Sequence, residues 1–127
     1  MLIIRNEQQQ ALKIAAMSSF IVNCKQFIEQ NAPEWCIDKS DDDKHQFVEE
    51  MIEFSHDCHI YNEDSIQRLI YYKIEYDFSI PLSPYRKSLL EREKFDEDYR
   101  IEQFHDSLAS GEDELTLVTL ENNEDTY

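Results

Sequence analysis

Two pairs of potential metal ligands are spaced three residues apart in this sequence. Glu53 precedes His56, and Glu102 precedes His105. On a helix this spacing places both side chains on one face, and di-iron bundles use two such pairs together with glutamates from facing helices. A phenylalanine competes for the inward position in each pair, and the first helix offers no well-placed glutamate. We therefore expect no metal site and no cofactor.

A second group of potential ligands surrounds Cys58, with His56 and His59 beside it and Cys36 or His45 as more distant additions. Structural zinc sites usually show two well-spaced ligand pairs, whereas only one cluster is visible here. Cys58 also falls on an apolar stripe, where a buried free cysteine is ordinary. The sequence contains no nucleophile elbow, no glycine-rich phosphate loop and no HExxH motif. We expect the protein not to be an enzyme.

The charge balance is the strongest compositional signal. The 127 residues include 28 acidic and 12 basic residues, which gives a formal net charge of −16. Such a field repels nucleic-acid phosphates and anionic lipid head groups, so neither direct nucleic-acid binding nor a membrane-surface role is expected. A basic protein partner would be attracted, whereas the alternative interpretation is that the charge only provides solubility.

Two groups of side chains are candidates for a partner-binding surface. The acidic candidates stand at helix starts or on polar helix faces: Asp41, Asp42, Asp43, Glu49, Glu50, Glu53, Glu63 and Asp64. The aromatic candidates are tyrosines near carboxylates, which bury area while keeping a polar tip exposed: Tyr71, Tyr76 and Tyr85. Tyr72 and Tyr99 are instead expected to fill the core.

The composition predicts an all-α fold. Hydrophobic residues make up 41% of the chain, which is enough for a packed core, while a single glycine leaves few sites for the tight turns of β-rich folds. We expect one domain over residues 1–127, with a compact bundle of four to five helices at about 2–111 and an acidic tail at 112–127. Alternation in Leu115–Leu120 favours a short extended segment in that tail.

Apolar periodicity and capping signals locate the helices. Asn6 with Gln9 resembles a capping box, Asn62 and Asp96 suit N-cap positions, and Ser83 precedes a proline at a first helical position. Pro33–Cys36 is expected to be a loop with Trp35 as a core plug. The predicted helices cover about 6–31, 42–58, 63–77, 84–91 and 97–110, the last ending before Gly111.

The cysteines and the N-terminal residues favour a cytoplasmic protein. The three cysteines, Cys24, Cys36 and Cys58, are odd in number and irregular in spacing, which does not suggest a disulfide framework. The N-terminal segment lacks the long apolar core of a signal peptide, and no stretch approaches the roughly 20 apolar residues of a membrane span.

A series of short motifs is distributed over the helical part of the chain: Ile3-Ile4-Arg5, Glu7-Gln8, Ala11-Leu12, Pro33-Glu34 with Cys36, Asn62–Asp64, Phe78 with Pro81, Pro84–Leu90 and Asp96–Leu108. Through these motifs, most of residues 2–110 resembles a family of small acidic helical proteins encoded beside type VI secretion effector genes in Gram-negative bacteria. His59 stands where such families normally have a glycine. The tail at 112–127 is outside the resemblance.

The resemblance implies an immunity protein, or an adaptor or chaperone that loads the effector, and does not separate these roles. If the effector is a nuclease, its active cleft is basic, and a carboxylate-rich face can occupy it as a phosphate surrogate. We therefore expect a cytoplasmic immunity protein that binds and neutralises a cognate secreted antibacterial toxin, most simply a nuclease. The rival classes are an effector adaptor, a small metalloenzyme and a homo-oligomeric structural protein.

Overall fold

The computed structural model describes the backbone of residues 2–112 and the side chains of residues 16–112. The described backbone is all-α and contains no strand, which confirms the predicted fold class. Its six helices are α1 (Leu2–Asn31), α2 (Pro33–Cys36), α3 (Asp41–Asp57), α4 (Glu63–Tyr76), α5 (Pro84–Glu91) and α6 (Glu97–Ser110). The extended segment predicted for Leu115–Leu120 lies outside the described residues.

The chain divides into two compact units, Met1–Glu50 and Met51–Tyr127. In the first unit, α1 buries one face through side chains that repeat at three- and four-residue steps. These are Phe20, Ile21, Cys24 and Ile28, and Val48 of α3 is also buried. The spacing is that of an amphipathic helix, so the periodicity predicted for α1 is confirmed at Phe20, Cys24 and Ile28, whereas Ala16 and Asn31, at the two ends of the described stripe, are exposed.

The second unit contains most of the buried apolar residues. Phe78, in the connection after α4, packs edge-on against Phe104 of α6, with ring centroids 5.0 Å apart, and lies 5.8 Å from Phe54. The remaining fully buried side chains come mainly from α4, α5 and α6, and include Ile66, Leu69, Ile70, Leu90 and Ile101. Here α6 contacts both α4 and α5.

Three of the predicted helix-end signals are confirmed. Ser83 caps α5 by accepting a hydrogen bond from the Arg86 backbone amide at 3.4 Å. Asp96 caps α6 by accepting from the Tyr99 amide at 2.8 Å. Gly111 ends α6 in the left-handed region at φ 77°, which a glycine adopts without steric cost.

Other local predictions were wrong. The first helix begins at Leu2 rather than near Asn6, and Pro33–Cys36 forms one helical turn instead of a loop. Asn62 occupies the N-cap position of α4 without a side-chain capping hydrogen bond. Tyr99, expected in the core, is 44% exposed and lies against Phe95 with ring centroids 4.9 Å apart.

Within the described residues, no helix is both long enough and apolar enough to cross a lipid bilayer.

Candidate functional site

The start of α3 is organised by a reciprocal pair of hydrogen bonds. The Asp43 amide donates to Ser40 Oγ at 3.1 Å, and the Ser40 amide donates to Asp43 Oδ2 at 3.0 Å. This is a capping box with aspartate in the third position, and it satisfies two backbone donors that the helix itself leaves without partners. The negative side chains of Asp41 and Asp42 occupy the first turn, where the helix dipole stabilises them.

Two ion pairs connect α1 and α3 within the first unit. Lys25 Nζ lies 2.7 Å from Asp41 Oδ1, and Lys44 Nζ lies 3.0 Å from Glu29 Oε1. The hydrogen bond from Lys25 lowers the pKa of the Asp41 carboxyl, and the hydrogen bond to Glu29 raises the pKa of Lys44. Both lysine side chains are largely covered while the carboxylates are exposed, so the acidic partners are on the solvent side.

The first unit also contains an open cleft of about 410 Å³. Its lining residues come from α2, from the connection that follows it and from α3: Trp35, Asp38, Lys39, Asp43, Gln46, Phe47 and Glu50. We call it the Trp35 cleft. The rings of Trp35 and Phe47 are in contact, with centroids 4.7 Å apart and an interplanar angle of 47°. The cleft therefore combines two aromatic rings with three carboxylates and one lysine.

The predicted acidic residues of the first unit are all exposed, but they differ in their partners. Asp41 pairs with Lys25 and Asp43 closes the capping box. Glu49 Oε1 lies 3.0 Å from His45 Nε2, and Glu50 Oε1 accepts a hydrogen bond from Gln46 Nε2 at 3.1 Å. Asp42 takes part in no ion pair among the described residues, so its charge is directed only at solvent.

The predicted acidic residues of the second unit, Glu53, Glu63 and Asp64, are likewise exposed. In the part of the chain that the structure describes, none of the three forms an ion pair. Glu63 and Asp64 lie in the first turn of α4, where their charge complements the helix dipole. Their exposed charges contribute to the negative field of the second unit.

The predicted aromatic anchors are already in contact with other side chains of the second unit. Tyr76 is 38% exposed, and its hydroxyl lies 3.1 Å from His105 Nε2. The His105 ring also stacks on Tyr72 at a centroid distance of 4.6 Å. Tyr71 is half-buried, and the negative charge of Glu75 raises its pKa. Tyr85 is half-buried as well, so none of the predicted anchors stands fully free.

The two potential Glu–His ligand pairs belong to the second unit, and in the described residues no group of three or more His, Cys, Asp or Glu side chains is placed to hold a metal ion. His105 is held by its contacts with the tyrosines, and the His56 ring lies 5.4 Å from that of Tyr61. Cys24, Cys36 and Cys58 are not disulfide-bonded. Burial raises the pKa of the Cys58 thiol to about 11, which keeps it protonated and unreactive at neutral pH.

The second unit has a cleft of its own, of about 390 Å³, lined mainly by apolar side chains. Asp57 and Lys87 are the charged residues of its lining, and they carry opposite charges. The net charge of this lining therefore selects neither a cationic nor an anionic ligand.

Sequence reasoning missed two polar residues of α6 that hold the second unit together. Arg100 is 5% exposed and donates to the backbone oxygens of Leu90, Cys58 and His59, at 2.8, 3.4 and 3.3 Å. Glu97 accepts hydrogen bonds from the backbone amides at residues 61 and 62, both at 3.0 Å. Glu97 thus satisfies the two backbone amides that immediately precede α4.

Comparisons of the chain with protein-family models, with curated proteins and with solved structures find no match. The site must therefore be interpreted from its own residues. The first unit offers exposed carboxylates and an acidic cleft with an aromatic floor, and the second unit offers exposed carboxylates of its own.

Proposed function

We propose that this chain is an immunity protein, which binds a cognate antibacterial toxin with a basic surface and neutralises it. The observation that carries the proposal is the exposure of all eight carboxylates expected at the binding surface. Six of them form no ion pair among the described residues, namely Asp42, Asp43, Glu50, Glu53, Glu63 and Asp64, although Asp43 and Glu50 accept hydrogen bonds from the Ser40 amide and Gln46. An inhibitor of a basic toxin requires a negatively charged surface. The exposed carboxylates can supply one.

Electrostatics explains how such a surface acts. Carboxylates fixed on helices keep their positions before the partner arrives, so binding costs little side-chain ordering. The net charge of −16 accelerates the encounter with a positive partner and disfavours acidic competitors. A nuclease active site is positively charged because it holds phosphates, so a set of carboxylates can fill it and exclude the nucleic acid.

The direct test is co-expression with the toxin encoded by the adjacent reading frame. We expect the chain to restore growth of cells that produce the toxin and to co-purify with it as a stable complex. An adaptor would form the complex without abolishing the toxin's activity. A chain that neither binds the toxin nor restores growth would refute the proposal.

A matched pair of triple variants distinguishes binding through the candidate carboxylates from general electrostatic attraction by the net charge. Both variants neutralise one aspartate and two glutamates and therefore carry the same net charge. The first alters three unpaired candidates, through Asp42→Asn, Glu53→Gln and Glu63→Gln. The control alters three exposed carboxylates outside the candidate set, through Glu34→Gln, Glu102→Gln and Asp106→Asn.

We expect the first triple variant to lose at least about tenfold in affinity for the toxin, because close charge pairs at protein interfaces couple by more than 1 kcal/mol. The control should bind within about threefold of the unaltered chain. Equal losses in the two variants would show that net charge alone governs binding. Circular dichroism of both variants serves as the check that they keep their helix content.

A further inference from the structure

We propose that the Trp35 cleft receives an arginine side chain from the basic partner, and that Lys39 occupies the same place in the unbound chain. The inference deepens the proposed function and rests on it, since the arginine belongs to the toxin. Its physical basis is independent of that partner, because it depends on the aromatic floor, the internal cation and the charge of the rim.

The floor of the cleft suits a cation. Trp35 and Phe47 are half-buried, and both line the cleft, so part of each ring is accessible from it. The face of an aromatic ring carries partial negative charge, and indole attracts cations more strongly than the rings of tyrosine or phenylalanine.

The cleft already holds a cation from the chain itself. Lys39 Nζ lies 4.9 Å from the centre of the Trp35 ring and donates a hydrogen bond to Asp38 Oδ1 at 3.1 Å. That hydrogen bond lowers the pKa of the Asp38 carboxyl. The Asp38 side chain is 80% exposed, and ion pairs as exposed as this one contribute little free energy. Lys39 can therefore leave the ring at small cost when a better cation arrives.

The rim of the cleft keeps a net negative charge even after the positive charge of Lys39 is counted. Asp38, Asp43 and Glu50 supply three carboxylates against one ammonium group. Asp43 and Glu50 each use one oxygen in the hydrogen bonds to the Ser40 amide and to Gln46. A carboxylate has a second oxygen that can accept further hydrogen bonds, so acceptors surround the aromatic floor.

Arginine fits this arrangement better than lysine. A guanidinium group is planar, stacks on an indole face and donates several hydrogen bonds in its plane, whereas an ammonium group is compact and strongly hydrated. Stacking on Trp35 while donating to Asp38 or Glu50 uses both properties at once. An anionic occupant would be repelled by the rim.

Trp35 is the single tryptophan of the chain, so its fluorescence reports directly on the cleft. The full chain is titrated with a short end-blocked peptide in which arginines alternate with glycine and serine. We expect a saturable change of emission with this peptide, a weaker one with the lysine analogue, and none with the citrulline analogue, which keeps the shape without the charge. Equal responses to all three peptides would overturn the proposal.

Two lysine variants provide a matched comparison, because each removes one positive charge and one lysine that lies over an aromatic ring. Lys39→Gln removes the cation over the Trp35 ring. Lys94→Gln removes the cation over the Phe95 ring, whose centre lies 5.6 Å from Lys94 Nζ. We expect Lys39→Gln to bind the arginine peptide about three- to fivefold more tightly, because a competing cation–π contact is lost. Lys94→Gln should change the affinity by less than about twofold. Equal tightening would overturn the proposal.

The toxin complex provides the second readout. Glu50→Gln should weaken the binding of both the toxin and the arginine peptide. Glu102→Gln, which alters an exposed glutamate of the second unit, should change neither affinity. If the toxin binds normally to Glu50→Gln and the arginine peptide binds no better than the citrulline peptide, the cleft proposal fails and the immunity proposal stands. If the arginine peptide binds as expected and the toxin does not bind, the immunity proposal fails, and with it the assignment of the arginine to the toxin.

Discussion

Arg100 shows how one buried side chain can replace several missing local contacts. Its guanidinium donates to three backbone oxygens. One belongs to Leu90, near the end of α5, and the other two belong to Cys58 and His59, just after α3. Backbone oxygens at helix ends have no partner within their own helix. One arginine therefore satisfies acceptors from two separate chain segments, which fixes them relative to α6 within the second unit.

The first prediction concerns this arginine. Replacing Arg100 with methionine keeps the apolar stem but removes the donors, so buried oxygens lose their hydrogen bonds. We expect the free energy of unfolding to fall by about 2–4 kcal/mol in urea titrations followed by circular dichroism. The control is Arg92→Met at an exposed position, with an expected change within about 0.5 kcal/mol. Similar losses in both variants would contradict the structural role.

The second prediction concerns the Cys58 thiol, whose pKa is raised by burial from an ordinary 9.0 to about 11. Below pH 9 the folded and unfolded chains both keep the proton. Between these values the unfolded chain releases it and the folded chain retains it, so the free energy of unfolding decreases as pH rises.

We expect the stability difference between the unaltered chain and Cys58→Ala to shrink when urea titrations are repeated at about pH 10.5 rather than about pH 8. Cys36→Ala is the control because it retains the Cys58 thiol. The stability difference between Cys36→Ala and Cys58→Ala should therefore shrink with rising pH in the same way. A difference independent of pH would mean that the Cys58 thiol is as easily ionised in the folded chain as in the unfolded one.

At the scale of the elements, the capping box of α3 positions the carboxylates of its first turn. Ser40 and Asp43 exchange hydrogen bonds across the helix start. The third prediction is that Ser40→Ala destabilises the chain by about 1 kcal/mol, as expected for loss of an N-cap. Ser79→Ala, at an exposed position outside the helices, should have no measurable effect. Urea titration of both variants checks this, and an unaffected Ser40→Ala would show that the box contributes no stability.

The elements also show what the sequence can predict. The five longer helices follow from apolar periodicity, and the caps at Ser83, Asp96 and Gly111 follow from local signals, because these interactions join residues close in the chain. The contacts of Arg100 with Cys58 and of Glu97 with Asn62 span 42 and 35 residues. No local pattern indicates such pairs, so the sequence did not predict that Glu97 would accept hydrogen bonds from the backbone amides just before α4.

The candidate site was predictable only in part. Exposure of the acidic residues follows from their positions on polar helix faces. The Trp35 cleft was not predicted, because α2 was expected to be a loop and Trp35 a core plug. A cleft depends on how helices pack, and the sequence distance between Trp35 and Phe47 gives no measure of the 4.7 Å between their rings.

For the whole molecule, the net charge of −16 determines how a partner approaches. The fourth prediction is that the association rate constant with the toxin falls at least about tenfold between about 0.01 and about 0.15 M salt, because the screening length shortens from about 30 to about 8 Å. Stopped-flow fluorescence measures the rate. A salt-independent rate would show that long-range attraction plays no part in the encounter.

The helix end at Asp77 offers a route to a more heat-resistant form of the protein. Asp77 ends α4 in the left-handed conformation at φ 47°, and His59 adopts φ 61°. Only glycine enters this conformation without a steric penalty, although aspartate tolerates it better than most residues. Asp77→Gly should therefore raise the melting temperature by a few degrees, corresponding to about 0.5–1 kcal/mol, even though the exposed ion pair with Lys73 is lost. Differential scanning calorimetry would measure the shift, and production of the protein at elevated temperature would benefit directly.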